Sequence, residues 1–145
     1  MDISGSYRFD ASPDRVWGLL MDPAVIASCI PGCEALEPDG EDRYRARLNV
    51  ALSAVTGSYD GIVVLSEKNP NASYRLRVEG QGKAGFVNGS AGIALRPDGA
   101  ATIVDVSGTV QTGGPIARLG QRLIAGVARM MQDRFFASLK AKLPT

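Results

Sequence analysis

Histidine is absent from this 145-residue sequence, and cysteine occurs only twice. Histidine is the commonest general base and the commonest metal ligand, so its absence excludes Ser-His-Asp and Cys-His catalysis and removes most metal sites. Cys29 and Cys33 are separated by three residues, which is neither the redox CxxC spacing nor half of a zinc knuckle. We therefore expect two reduced thiols, no catalytic residues, no metal and no resident cofactor.

Long apolar runs and an excess of charge are also absent. No apolar stretch approaches the length of about 18 residues that a membrane-spanning helix needs, and the N-terminus lacks the basic and apolar segments of a secretion signal. The net charge is +1, and no exposed aromatic pattern interleaves the cations, so we expect no nucleic-acid partner. The sequence predicts a cytoplasmic protein with a single domain over residues 1–145.

The hydrophobic pattern predicts strands in the middle of the chain and a helix at its end. Residues 2–10 alternate as a strand, and Ser12-Pro13 opens a short helix that Asp22-Pro23 stops. A second short helix follows, from about Ala24 to Cys29. Alternating segments and turns then continue to Gly114, for about seven strands in all. Apolar residues at helical spacing predict a long helix over 116–142.

Only that last helix is long enough to cover the apolar face of such a sheet. A sheet that curves around one helix encloses more volume than the helix fills, and glycines within the strands permit the bends. We therefore predict an α+β fold with a curved antiparallel sheet around the C-terminal helix and an apolar cavity between them. The expected wall consists of Tyr7, Phe9, Tyr44, Leu48, Val63, Leu65, Leu76, Val78, Ile93, Val104 and Val106 from the sheet, and Leu123, Val127 and Met130 from the helix. The same residues could instead form a filled core.

The helical segment has a strong bias in charge. It carries six cations against the single acid Asp133, whereas the whole chain has a net charge of +1. A solvated helix face would explain this bias. Alternatively, the basic stripe binds an acidic partner or an anionic lipid surface, with Arg118, Arg122 and Arg129 as the candidate contacts.

Short motifs along the whole chain carry a family resemblance. They are Ile3-x-Gly5, Ser12-Pro13-x-x-Val16-Trp17, Asp22-Pro23, Ile30-Pro31-Gly32-Cys33, Tyr59-x-Gly61, Gly114 with Leu119-Gly120, and Phe135-Phe136. Together they resemble the CoxG family of carbon monoxide dehydrogenase subunits, within the START-like (SRPBCC, Bet v 1-like) helix-grip superfamily. The resemblance implies a helix-grip fold, an internal pocket for a lipid or a quinone, and peripheral contact with the membrane surface. It also implies an accessory role beside a molybdenum-containing carbon monoxide dehydrogenase or related hydroxylase.

Three functions stay open at this point. The first is a non-enzymatic carrier of an apolar small molecule, and the second is a recruitment or assembly module that uses the basic helix face. The third is a small-molecule cyclase or hydrolase, which some helix-grip proteins are. Asp60 and Asp105 interrupt apolar strands and are the candidate acids for such an enzyme, but their register places both on the outer face.

Overall fold

The computed structural model describes residues 1–51 and 55–143. Seven strands, three α-helices and one 3₁₀ helix make up the described chain. In chain order they are β1 (Asp2–Phe9), α1 (Pro13–Leu20), α2 (Pro23–Cys29), β2 (Cys33–Pro38), β3 (Arg43–Val50), β4 (Gly57–Asn69), β5 (Ser73–Gly82), β6 (Gly85–Asp98), β7 (Ala101–Gly113), the 3₁₀ helix (Pro115–Leu119) and α3 (Gln121–Lys140).

All seven strands form one antiparallel sheet in the order β1-β7-β6-β5-β4-β3-β2. Strands β2 to β7 each pair with their neighbours in sequence, and β1 pairs with β7, from Asp2 opposite Thr109 to Phe9 opposite Thr102. Helices α1 and α2 therefore connect the two edges of the sheet. The curved sheet with its C-terminal helix confirms the predicted α+β helix-grip architecture.

The turn from α2 into β2 requires a glycine. Gly32 has a φ of 76°, and a Cβ atom there would collide with the carbonyl oxygen of Asn49. The N–H of Asn49 in turn donates to the Gly32 carbonyl oxygen at 2.8 Å. A side chain at this position would be strained by its φ and would clash with β3. The Ile30-Pro31-Gly32-Cys33 motif thus has a structural role in placing β2 beside β3.

The main core lies where the C-terminal half of α3 meets α1 and the β1 edge of the sheet. Phe9, Val16, Val104 and Leu139 are completely buried there. Thr102, also fully buried, donates its hydroxyl to the backbone oxygen of Ala11 at 2.8 Å. A smaller cluster of Val50, Val55 and Ile116 lies nearer the start of α3. The space between the two clusters is where a cavity forms.

The C-terminal helix is shorter than the predicted range 116–142. A 3₁₀ helix covers Pro115–Leu119, and Gly120, with a φ of 88° and a ψ of 151°, separates it from α3. Gly120 adopts a backbone conformation outside the helical region, so the helix is interrupted there. The apolar spacing in the sequence nevertheless continues through the interruption.

Candidate functional site

A cavity of about 440 Å³ lies between the concave face of the sheet and α3. Apart from three tyrosines, Glu79 and Gln132, every described residue that lines it is apolar or glycine. The wall consists of Ile3, Leu20, Met21, Pro23, Ile26, Ile30, Leu36, Tyr44, Ala46, Leu48, Val50, Val55, Tyr59, Gly61, Ile62, Val63, Leu65, Tyr74, Leu76, Val78, Glu79, Gly80, Val87, Ala91, Ile93, Val106, Val110, Ile116, Ile124, Val127, Ala128, Met131, Gln132, Phe135 and Phe136.

Nine of the fourteen residues expected in this wall are found there. They share the inward-facing register of β3 to β7 or the cavity side of α3. These nine are Tyr44, Leu48, Val63, Leu65, Leu76, Val78, Ile93, Val106 and Val127. Strand alternation therefore identified the concave face correctly on the central strands.

Three expected residues from the β1–β7 edge belong to the filled core instead. Phe9 and Val104 are completely buried. Tyr7 stacks on Phe136 with a distance of 4.2 Å between ring centroids. The C-terminal turns of α3 pack directly on this edge, so side chains that point inward here meet the helix and not the cavity.

Two expected residues on α3 face away from the cavity. Leu123 is 41% exposed, and Met130 is half-buried outside the wall. At 100° per residue, both lie about 100–120° around the helix from Ile124, which is in the wall. The apolar stripe of α3 is wide, and sequence spacing alone did not show which of its edges faces inward.

The cover that α1, α2 and β2 supply was not predicted. Met21, Ile26, Ile30 and Leu36 line the cavity from that side. Met131 and Phe135 of α3 also line the cavity, although the expected wall did not include them. The same alternation that gave Leu76 and Val78 also indicates Tyr74, since the three residues share one face of β5.

Exposure increases along the inward face of β5. Its inward-facing residues run from Tyr74, which is 6% exposed, through half-buried Leu76 to Val78, which is 37% exposed. Gly80, next on the same face, lies opposite Gly61 of β4 and adds no side chain. Along this face of β5, the side chains are therefore packed most tightly at Tyr74 and least tightly at Val78.

The three tyrosines of the wall differ in how their hydroxyls are satisfied. The Tyr59 hydroxyl donates to the backbone oxygen of Val55 at 2.7 Å. Tyr44 is half-buried, so water can reach its ring edge. Tyr74 is almost fully buried and packs its ring edge-on against Trp17, with centroids 5.7 Å apart. Burial raises the pKa of both Tyr59 and Tyr74, so each carries its proton at neutral pH.

A hydrogen-bond network fastens α3 to β1 beside the cavity. The Tyr7 hydroxyl donates to the Asp133 carboxylate at 2.5 Å and accepts from Gln132 Nε2 at 2.9 Å. Gln132 Nε2 also donates to the Ser4 carbonyl oxygen at 3.2 Å. Burial, followed by the bond to Asp133, raises the pKa of Tyr7. These polar groups position the helix and are committed to one another.

Acidic groups suited to catalysis do not face the cavity in the described chain. Asp60 lies on the outer face and pairs with Arg47 at 3.3 Å. Asp105 accepts from Arg96 at 2.7 Å and from Ser6 at 2.6 Å, and these bonds lower its pKa. The one carboxylate in the described wall belongs to exposed Glu79. Residues 1–51 and 55–143 also contain no cluster of three or more potential metal ligands.

Both cysteines are free, and neither is in the cavity wall. Cys29 is buried, while half-buried Cys33 donates its S–H to the Ala35 oxygen at 3.4 Å. Burial raises the pKa of the Cys33 thiol, which favours the unreactive protonated form. The two thiols line a shallow outer depression of about 490 Å³ between the α2–β2 turn and α3.

Arginines on the sheet and arginines near α3 differ in their partners. All seven on the sheet form ion pairs: Arg8, Arg43, Arg45, Arg47, Arg75, Arg77 and Arg96. By contrast, Arg118, Arg122, Arg129 and Arg134 are exposed and form no ion pair with any residue in the described ranges. No acidic side chain in the described ranges therefore neutralises the positive charge of the predicted basic stripe through an ion pair.

A family profile relates this chain to known proteins. The profile of the carbon monoxide dehydrogenase subunit CoxG matches residues 5–144. The chain belongs to the CoxG family. This confirms the family resemblance of the sequence motifs. None of the curated proteins compared with this CoxG-family chain matches it.

Solved structures share the fold of this CoxG-family protein. A conserved protein from Geobacillus kaustophilus is 36% identical, with a TM-score of 0.95 over 98% of this chain and 94% of that one. A START superfamily protein from Mycobacterium smegmatis is 12% identical, with a TM-score of 0.76 over 97% and 95% of the two chains. The Zhui aromatase/cyclase from Streptomyces sp. R1128 is 14% identical, with a TM-score of 0.73 over 98% and 92%.

Within residues 1–51 and 55–143, no helix has both the length and the apolar character needed to cross a bilayer.

Proposed function

We propose that this CoxG-family protein is a non-enzymatic carrier that holds an apolar small molecule, a lipid or a quinone, in the cavity beneath α3. The observation that carries this proposal is the cavity of about 440 Å³ with its almost wholly apolar wall. Ligand pockets of small molecules have volumes of about 300–1,000 Å³ and mostly apolar linings. The cavity has the size and chemistry of such a site.

Burial of apolar surface is the driving force that this wall can supply. A ligand that buries about 300 Å² of apolar surface gains roughly 7 kcal/mol at 25 cal/mol per Å². Association and ordering costs reduce that gain before it appears as affinity. Flexible Met21 and Met131 in the wall allow ligands of different shape to be accommodated. Binding should therefore increase with the apolar area of the ligand.

The biological setting that we propose follows from the family. A CoxG-family carrier would serve a molybdenum-containing hydroxylase of the carbon monoxide dehydrogenase type by delivering or removing an apolar molecule. The one acid in the described wall is exposed Glu79, and this supports a carrier over an enzyme. The aromatase/cyclase neighbour shares only the fold, so it does not favour catalysis by this chain.

Binding of a neutral fluorescent probe tests the carrier proposal. N-phenyl-1-naphthylamine should become fluorescent on binding the protein at about one site per chain. A long-chain quinone or a lipid should displace the probe and raise the melting temperature of the protein. If the probe does not bind, and neither ligand raises the melting temperature, the carrier proposal is wrong.

A recruitment or assembly module is a second candidate, favoured by the unpaired arginines. We propose the basic stripe, defined as Arg118, Arg122 and Arg129, as the surface that meets an acidic face of the dehydrogenase complex. The double variant Arg118→Glu/Arg122→Glu should abolish co-purification with that complex. The matched control is Arg45→Glu/Arg47→Glu, which changes the net charge equally at paired arginines on the sheet. Equal co-purification of both variants with the complex would contradict this candidate.

A further inference from the structure

Tyr74 in the wall of the apolar cavity carries a hydroxyl that has no hydrogen-bond partner in the described chain. Its side chain is 6% exposed and lies in the cavity wall. Its hydroxyl forms no hydrogen bond with any residue in the described ranges. A buried hydroxyl without a partner is destabilising, so folded proteins rarely retain one by accident.

The Tyr74 hydroxyl is not sealed within the core. Among the described residues, no fully inaccessible side-chain nitrogen or oxygen lacks a hydrogen-bond partner. The Tyr74 oxygen therefore retains some accessible surface, and the Tyr74 side chain lines the cavity. Trp17 packs against the ring and limits its movement.

The other polar groups of the wall are less suited to select a ligand. Tyr59 already donates to Val55. Gln132 Nε2 is committed to Ser4 and Tyr7. Tyr44 is half-buried, where water can satisfy it. Among these polar residues of the wall, Tyr74 is therefore the buried donor that has no partner in the described chain.

The charge of the cavity wall indicates which ligands it can bind. No lysine or arginine belongs to the part of the cavity wall that the structure describes. An anionic carboxylate or phosphate would lose its hydration in this cavity without gaining a cation, which is costly. A neutral carbonyl or ether oxygen loses little hydration and accepts one hydrogen bond from a phenol.

We infer that the ligand carries a neutral acceptor oxygen, of the carbonyl or ether class, which accepts a hydrogen bond from Tyr74 in the cavity wall. This inference rests on the proposed carrier function. The apolar remainder of the ligand then packs against the apolar wall. The cavity accordingly selects neutral, oxygen-headed apolar molecules over hydrocarbons and over fatty acid anions.

Two matched probes test the role of Tyr74. They are 2,3-dimethyl-1,4-naphthoquinone and 2,3-dimethylnaphthalene, which share rings and methyl groups and differ by two carbonyl oxygens. Each is titrated against bound N-phenyl-1-naphthylamine. Wild type should prefer the quinone, and Tyr74→Phe should weaken quinone binding by about 5-fold, the worth of one neutral hydrogen bond. Binding of the hydrocarbon should be unchanged.

The control variant is Tyr59→Phe, which removes a hydroxyl that is already paired from the same wall. It should leave the ratio of the two affinities as in wild type. If Tyr74→Phe also leaves that ratio unchanged while both probes bind, the inference is wrong and the carrier function stands. If neither probe binds to folded wild type, the carrier function itself fails.

Methyl laurate and laurate test the exclusion of anions in the same assay. The neutral ester should displace the fluorescent probe at lower concentration than the carboxylate at pH 8, where laurate is ionised. Equal or stronger displacement by laurate would overturn the inference that the acceptor is neutral.

Discussion

Val127→Phe should block ligand binding without unfolding the protein. Val127 lies in the cavity wall on α3, so a phenylalanine at this position extends into the cavity and takes up space that a ligand would occupy. A ligand that is prevented from burying about three CH₂ groups loses roughly 2.4 kcal/mol at 0.8 kcal/mol each. That loss corresponds to about a 50-fold weaker affinity. Because the added ring enters a cavity and not a filled core, we expect the free energy of unfolding to change by less than about 1.5 kcal/mol.

Leu123→Phe is the matched control for this variant. Leu123 is on the same helix, four residues earlier, and is 41% exposed outside the wall. Its substitution adds a similar ring to the protein without narrowing the cavity. The dissociation constant of N-phenyl-1-naphthylamine, measured by fluorescence, should stay within 2-fold of wild type for Leu123→Phe and rise by about 50-fold for Val127→Phe. Urea unfolding reports the stability of both variants. Equal binding by the two variants would refute the assignment of this cavity as the ligand site.

Three further predictions concern the scaffold. Gly126 lies in the exposed face of α3 with nothing within 4 Å of an added Cβ, so Gly126→Ala should stabilise the protein by about 1 kcal/mol in urea unfolding; destabilisation would contradict the helix assignment. Thr102→Val should cost about 1–3 kcal/mol in the same assay, because the buried Ala11 oxygen loses its donor; an unchanged midpoint would show that the bond is unimportant. Bonds from Arg96 and Ser6 lower the pKa of Asp105 below its ordinary value of 3.8. The ionised Asp105 carboxylate therefore contributes to folding stability above pH 3.8, and this contribution is lost as the pH falls below that value. Asp105→Asn should therefore flatten the acid dependence of stability and leave probe binding unchanged, whereas lost binding would place Asp105 in the functional site.

The central strands were predictable because each has one buried and one solvated face. Tyr44 and Leu76 each lie between two arginines in the sequence, and a one-residue error in register would have exposed both of them. The cavity followed from a physical argument about one helix under a curved sheet. These features depend on local pattern and on the need to cover apolar surface.

The limits of the cavity were not predictable from pattern, because they depend on tertiary packing. Phe9 and Val104 follow the same alternation as the wall residues, yet the C-terminal turns of α3 fill the space above them. The break at Gly120 was hidden by apolar spacing that continues through it. Leu123 and Ile124 are neighbours in sequence, and only the orientation of α3 on the sheet decides which of them reaches the ligand.

The contrast among the tyrosines was likewise invisible in the sequence. Tyr44, Tyr59 and Tyr74 all occupy inward-facing positions, and only packing shows that one is paired, one is half-buried and one is buried without a partner in the described chain. A preference for an oxygen-headed ligand follows from that difference. Affinity should therefore depend on apolar area together with one hydrogen bond, and not on area alone.

The most direct test of the carrier account is organic extraction and mass spectrometry of the protein purified under native conditions from its own host, beside a denatured control. The account predicts a neutral apolar molecule with a carbonyl or ether oxygen at about one per chain, and its loss from Val127→Phe but not from Leu123→Phe. Extracts without any such molecule, from protein that also fails to bind N-phenyl-1-naphthylamine, would contradict it.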